Sequence, residues 1–441
     1  MNHTDRASAP IRGSGEDMHR FIAELYPICR SITGHGLRES LRLIQKHIPL
    51  TMHEVPSGTP VFDWTVPAEW NIRDAYVANR QGVRIIDFKK SNLHVVSYSK
   101  PVKARVGLNE LKEHLFTLPD HPDWIPYRTS YYKETWGFCL THREYLELQD
   151  EEYDVCIDSS LEPGHLTYGE YHLPGETSDE VLISCHTCHP SLCNDNLSGI
   201  AVSTFLAKII SARPRRYSYR FLFTPVTIGA ITWLALNENH LSRIKHGFVV
   251  TGVGDEGPFT YKKSRRGNAE IDLVFGHVLK HVGARYELGE FIPYGYDERQ
   301  YGSPAFNLPV GCFMRQAHGR YPQYHTSADN LEFVRAESLG QSLDVALSVI
   351  DVLEANAVYV NMAPKCEPQL GKRGLYRAIG GALTGRSGEM ALLWVLNLSD
   401  GSHSLLQIAE RSGLSFATIK VAADLLLDHQ LLRCGDRDRV V

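Results

Sequence analysis

Between Asp17 and Ile48 apolar residues recur at helical spacing, first Phe21, Ile22, Leu25 and Ile28, then Leu41, Leu43 and Ile44. This pattern predicts two helices, parted at Ser31-Ile-Thr-Gly-His-Gly36. From Val55 the pattern changes. Short alternating runs such as Val83-Arg-Ile-Ile-Asp87 and His94-Val-Val-Ser-Tyr98 stand among Pro56, Pro60, Trp64, Pro67 and Trp70. They predict a small β-rich module over residues 55–153. From Asp154 onward strands and helices alternate: a strand at Leu182, a helix from Ile200, a strand at Arg220–Thr224, a helix over Ile228–Leu241, a strand at Gly247–Thr251 and a helix over Asp272–Val282. Alternation of this kind predicts a mainly parallel sheet covered by helices. A long helix, Glu337–Ala355, closes that region. The tail from Leu392 reads as a helix, a helix-turn-helix with Gly413 in the turn, and a short strand. The expected organisation is therefore an α/β domain over 1–54 and 154–360, an inserted β-rich module over 55–153, and a winged-helix-like domain over 361–441.

Composition narrows the function classes. The 441 residues carry a net charge of -5, with 43% hydrophobic and 22% charged residues, close to a globular average. Such a balance gives no support for a nucleic-acid or membrane-surface role. The first twenty residues lack the apolar core of a secretory signal, and no apolar run is long enough to span a bilayer. Nine cysteines at irregular spacing argue against a disulfide framework. The expectation is a cytoplasmic protein with reduced thiols.

The candidate chemistry concentrates in Cys185-His-Thr-Cys-His-Pro-Ser-Leu-Cys-Asn-Asp-Asn-Leu-Ser-Gly199, between a predicted strand and a predicted helix. Sites of α/β proteins form in such loops, at the carboxyl edge of the sheet. Imidazole and carboxylate there suit a divalent metal, zinc first. His186 and Asp195 are the leading ligands. His189 reads equally well as a ligand or as a loop residue, because Pro190 follows it. A thiolate knuckle from Cys185, Cys188 and Cys193 would have to close tetrahedrally within one short loop, and no second cysteine pair has zinc-ribbon spacing. Downstream, Gly295-Tyr-Asp-Glu-Arg-Gln300 offers Asp297, and Gln323-Tyr-His-Thr-Ser-Ala-Asp-Asn330 offers His325. Either completes the three protein ligands that a catalytic zinc ordinarily has.

The order His, Asp-Asn-x-Ser-Gly, Asp, then His-Thr-Ser-x-Asp-Asn resembles the co-catalytic zinc aminopeptidases, the superfamily that includes glutaminyl cyclase. Over nearly its whole length the chain more closely resembles a bacterial family of aminopeptidase-like proteins of unassigned function. The resemblance rests on Cys29-Arg-Ser-Ile-Thr-Gly34, Asp63-Trp-Thr-Val-Pro-Ala-Glu-Trp-Asn71, Trp136-Gly-Phe-Cys139, Cys185-His-Thr-Cys-His-Pro190, Thr227-Ile-Gly229, Asp297-Glu-Arg-Gln300 and Tyr324-His-Thr-Ser327. It implies a zinc-peptidase-like fold with an inserted β module and a winged-helix tail. It also implies that His186, Asp195 and Asp297 hold one metal position, with His325 at a second and Asp195 as the bridge. Four positions depart from the pattern. Val226 and Thr227 stand where the aminopeptidases carry a Glu-Glu pair, a general base and a ligand. Gln323 stands where the nearer family commonly has Glu. Cys188 takes the place of the Asp that orients the first histidine.

These departures point to a single zinc and an altered base, with Glu298 nominated as proton carrier and Asp255 or Glu256 behind it. The metal would polarise a carbonyl and acidify its water. The expected activity is hydrolysis of an amide beside a free amino group, in a small peptide or aminoacyl metabolite. A biosynthetic acyl transfer on the same site and a non-catalytic metal-containing binding protein are the competing readings. Arg128, Arg299, Arg315 and Tyr324 are candidates for holding a substrate carboxylate or carbonyl. In the tail, the second helix of the helix-turn-helix carries one basic residue, Lys420, so packing or homo-oligomerisation is expected there rather than DNA binding.

Overall fold

A computed structural model describes residues 14–149, 152–375 and 386–435. They divide into two compact units. The larger comprises residues 13–272 and 285–343, the smaller residues 273–284 and the chain from 344 on.

The larger unit is built on an eight-stranded sheet. Its order is Thr51–Pro56, His165–Leu173, Ser218–Thr224, Glu180–His186, Ile244–Val250, Val310–Met314, Phe259–Lys262 and Tyr286–Gly289. The four strands from Ser218–Thr224 to Val310–Met314 are parallel. Strands buried on both faces read as near-continuous apolar runs, and Glu180–His186, with Val181, Leu182 and Ile183 at its heart, is buried at every residue. Antiparallel pairings flank this parallel core on both sides. The helix Gly199–Ser211 buries ten of its thirteen residues. Ser14–Leu25 and His35–Gln45 turn one apolar stripe inward, Met18, Phe21, Ile22 and Leu25 in the first and Leu37, Leu41 and Ile44 in the second.

The β-rich module has its own four-stranded sheet, in the order Arg84–Asp87, Glu69–Ala78, Glu152–Glu162 and Val102–Gly107. The sequence boundary at residue 153 falls near the start of its longest strand, which continues to Glu162 because it pairs with Glu69–Ala78 on one side and Val102–Gly107 on the other. The chain enters the module from Thr51–Pro56 and leaves it into His165–Leu173. Those two strands pair antiparallel, Pro56 opposite His165. The module is thus spliced into a hairpin at the edge of the large sheet.

In the smaller unit, Val358–Asn361 pairs with both Asp400–Ser404 and Leu432–Cys434. The boundary drawn at 360/361 therefore cuts a strand, and the three-stranded sheet begins at Val358. Gly413, at φ +70, ends the helix Leu405–Ser412. The Ser415 side chain then caps Phe416–Asp428 by accepting from the Thr418 amide.

Candidate metal centre

The carboxyl ends of the parallel strands open into one group of loops. His186 is the last residue of its strand and is fully buried. After Ser191, which has φ +46, the chain returns through Asn194-Asp-Asn-Leu-Ser-Gly199 into the Gly199–Ser211 helix. The polar residues of that stretch tie it to the loop after Ile244–Val250. Asn194 accepts from the Gly254 amide at 2.8 Å and donates to Asp255 at 2.9 Å. Asn196 donates to the Val250 carbonyl at 3.1 Å, and Ser198 accepts from the Val253 amide at 3.0 Å. Gly199 is required by closeness, since a methyl there would lie 2.3 Å from the Asn196 side chain and 2.5 Å from the Val250 carbonyl. The Asp329 carboxylate accepts the Asn194 and Asp195 amides at 2.5 and 2.9 Å.

This frame presents the Asp195 carboxylate, wholly buried, to three imidazoles. His186 Nε2 lies 2.9 Å from Oδ1. His325 Nε2 lies 2.9 Å from Oδ2, and His189 Nδ1 lies 3.2 Å from the same oxygen. Burial alone would raise the Asp195 carboxyl, but the imidazoles, His189 foremost, hold it well below the usual carboxylate range. Burial lowers His186 and His325 against the opposing pull of Asp195. Imidazoles around an ionised carboxylate make a donor set of the kind zinc takes. Among the described residues, His186, His189 and Asp195 form a group whose ligand atoms all lie within 4.8 Å of one another. The residues present therefore fit the metal that the sequence pattern implies.

Aromatic rings wall the group. Tyr296 stacks on His186 at 5.2 Å and Tyr324 on His325 at 3.9 Å between centroids. Tyr127, from the inserted module, meets His189 and His325 edge-on at 5.1 and 5.2 Å. His318 packs against Tyr296 and Tyr324, at 5.5 and 6.3 Å, and its buried Nδ1 makes no hydrogen bond. Burial lowers its pKa, with Lys262 adding to the effect.

The nominated residues fall in different surroundings. His186, Asp195 and His325 come together. Asp297 is fully buried, yet neither of its oxygens makes a hydrogen bond of ordinary geometry. Burial and the neighbouring Glu298 push its carboxyl up to about 8. Glu298 is neither a surface charge nor the partner of Arg299. It is buried and ion-paired with Lys262, and the Tyr296 amide bonds its Oε1 at 3.2 Å. Its other oxygen makes no hydrogen bond. Asp255 is engaged by Asn194, Gln316 and the Gly257 amide, which leaves it a framework role. Arg315 is likewise structural, bonded to Ser342, Gln341 and the Gly257 carbonyl. Sequence reasoning did not find Tyr127, Tyr296 or His318, and left His189 open. The His-x-x-His spacing of 186 and 189 was the one signal available for His189.

Comparison with known proteins agrees with this architecture. A family described as a domain of unknown function (DUF4910) matches residues 19–356, and a winged helix-turn-helix family matches residues 357–434. A Clostridium acetobutylicum protein, provisionally named for polysaccharide biosynthesis with an aminopeptidase-like domain, is 55% identical over 95% of this chain and 96% of its own length. A crystal structure of a provisionally assigned peptidase from the same organism superposes with a TM-score of 0.91 at 54% identity, covering 96% of each chain. A zinc aminopeptidase from Bacillus subtilis matches with a TM-score of 0.56 at 13% identity, over 76% of this chain and 94% of that one. The last likeness is one of fold alone.

Proposed function

The chain belongs to the family described as a domain of unknown function (DUF4910), with an aminopeptidase-like fold, and from that premise we propose that it is a zinc-dependent amidohydrolase. Its substrate is an amide beside a free amino group, in a small peptide or aminoacyl metabolite. The observation that carries this reading is the buried Asp195 carboxylate with three imidazole nitrogens within 3.2 Å. Zinc held there supplies Lewis acidity toward a carbonyl and an acidified water.

The chain's own residues do the rest. Asp329 and the Asn194–Gly199 stretch fix the Asp195 carboxylate, so its geometry is set before substrate arrives. Tyr127, Tyr296 and Tyr324 exclude water from the faces of the imidazoles. With Val226 and Thr227 lacking a carboxylate and Glu298 held by Lys262, proton transfer falls to His318, whose Nδ1 is free of hydrogen bonds.

A second reading, acyl transfer to an amine in a biosynthetic route, is favoured by the same missing carboxylates and by the name of the Clostridium acetobutylicum relative. One experiment addresses both. Aminoacyl amides and dipeptides are offered with and without an amine acceptor, and the products are identified by mass. The account expects free acid as product, no turnover in Asp195→Asn, and kcat reduced about 10²–10⁴-fold in His318→Gln with zinc retained. Turnover that survives Asp195→Asn would refute the hydrolase. A product joined to the acceptor would shift the assignment to transfer.

A further inference from the structure

His189 is the imidazole that the metal pattern of the resemblance leaves out, and its surroundings argue for more than a loop role. Its Nδ1 lies 3.2 Å from the Asp195 carboxylate oxygen that His325 approaches at 2.9 Å, and 3.2 Å from the Asp195 main-chain carbonyl as well. Its ring stands between the other two, with centroids 4.8 Å from His186 and 5.1 Å from His325. The ring is 8% exposed, so bulk water does not compete for its nitrogens.

The loop that carries it is anchored at both ends. The buried Arg30 guanidinium donates to the His189 carbonyl at 3.1 Å and to the Leu25 carbonyl at 2.6 Å. Two residues on, the Ser191 hydroxyl donates to the Tyr26 carbonyl at 2.8 Å and accepts from Asn92 at 2.7 Å. A wholly buried arginine has a high desolvation cost, and here it positions a backbone turn that aims one side chain. Tyr127 also packs against that ring, with centroids 5.1 Å apart. A solvent-facing loop histidine would need none of this support.

Thr227, meanwhile, stands where the resemblance expects a ligand carboxylate, and it cannot supply one. We infer that His189 fills that vacancy in the donor set. The zinc site is then mononuclear, with three imidazoles, His186, His189 and His325, and the Asp195 carboxylate, in place of two imidazoles with additional carboxylates. This assignment rests on the zinc reading of the site. It makes the centre more nitrogen-rich and less negatively charged than a carboxylate-bridged pair, which favours a single borderline metal over two.

The test is X-ray absorption at the zinc edge of the full-length protein loaded with one equivalent of zinc, beside His189→Ala. The inference expects multiple-scattering features of three imidazoles in the wild type and two in the variant. It also expects a loss of zinc affinity larger than the 10–100-fold that removing an orienting partner costs. Zinc bound in the wild type through only two imidazoles would overturn the role of His189 and leave the zinc reading standing. Failure of the wild type to bind zinc at all would overturn both. The wild-type count decides the question even if the variant does not fold.

Discussion

Glu69 shows how much one carboxylate can join. It accepts from Arg38 at 2.5 and 3.0 Å, from Asn71 at 3.0 Å and from the His165 amide at 3.0 Å. It thereby links the His35–Gln45 helix, the first long strand of the module and the start of His165–Leu173, the large-sheet strand that follows the module. Burial would raise its carboxyl, but the bonds from Arg38, Asn71 and His165 bring it down to about 2 from the ordinary 4.5. A depressed carboxyl contributes stability that is complete above its unfolded pKa and is lost as pH falls through its folded one. The window therefore runs from about pH 5 down to about pH 2. Glu69→Gln should lower the urea midpoint at pH 7 and narrow its gap from wild type as pH falls to 3. An equal gap at both pH values would contradict the linkage. Glu69 stands within a quoted sequence motif, yet its role was not legible there, because its partners lie 31 and 96 residues away. His186 and Asp195 were legible because strand, loop and helix place them locally. The Lys262 partner of Glu298 comes from a strand that the apolar pattern did not reveal.

Elements were legible where burial is one-sided or complete. The stripes of the first two helices and the apolar run of Glu180–His186 announced themselves by period and by length. The antiparallel flanks of the large sheet did not, because strand direction depends on which distant segment pairs, and the hairpin that joins Thr51–Pro56 to His165–Leu173 is interrupted by the whole module. Likewise Glu152–Glu162 alternates buried and partly buried residues as any half-buried strand does, and only its partners assign it to the module. In the smaller unit the turn glycine was readable, and so was the scarcity of basic residues on Phe416–Asp428. Its single basic residue, Lys420, is bound by Asp424 at 2.6 Å. Phosphate contacts supply most non-specific DNA affinity, so this helix should give no saturable fluorescence anisotropy with duplex DNA at low salt. Saturable binding that weakens with added salt would show that the unit reads nucleic acid after all.

Across the molecule, the centre draws on segments far apart in the chain. His186 and Asp195 come from one loop, His325 from 130 residues on, and Tyr127 from the inserted module. The Tyr127 amide bonds the His325 carbonyl at 2.8 Å, and Ser327 bonds Ile125 through both its amide and its hydroxyl, so module and ligand loop form one wall. This gives the insertion a part in the site that its composition did not suggest. Among the described residues no helix is long and apolar enough to cross a membrane. The central claim is that these segments converge to hold one metal. Its most direct test is the metal content, by mass spectrometry, of full-length protein purified without chelator, beside His186→Ala and Asp195→Asn. The account predicts about one zinc per chain in the wild type and nearly none in either variant. A wild type without metal, or zinc retained in both variants, would contradict it.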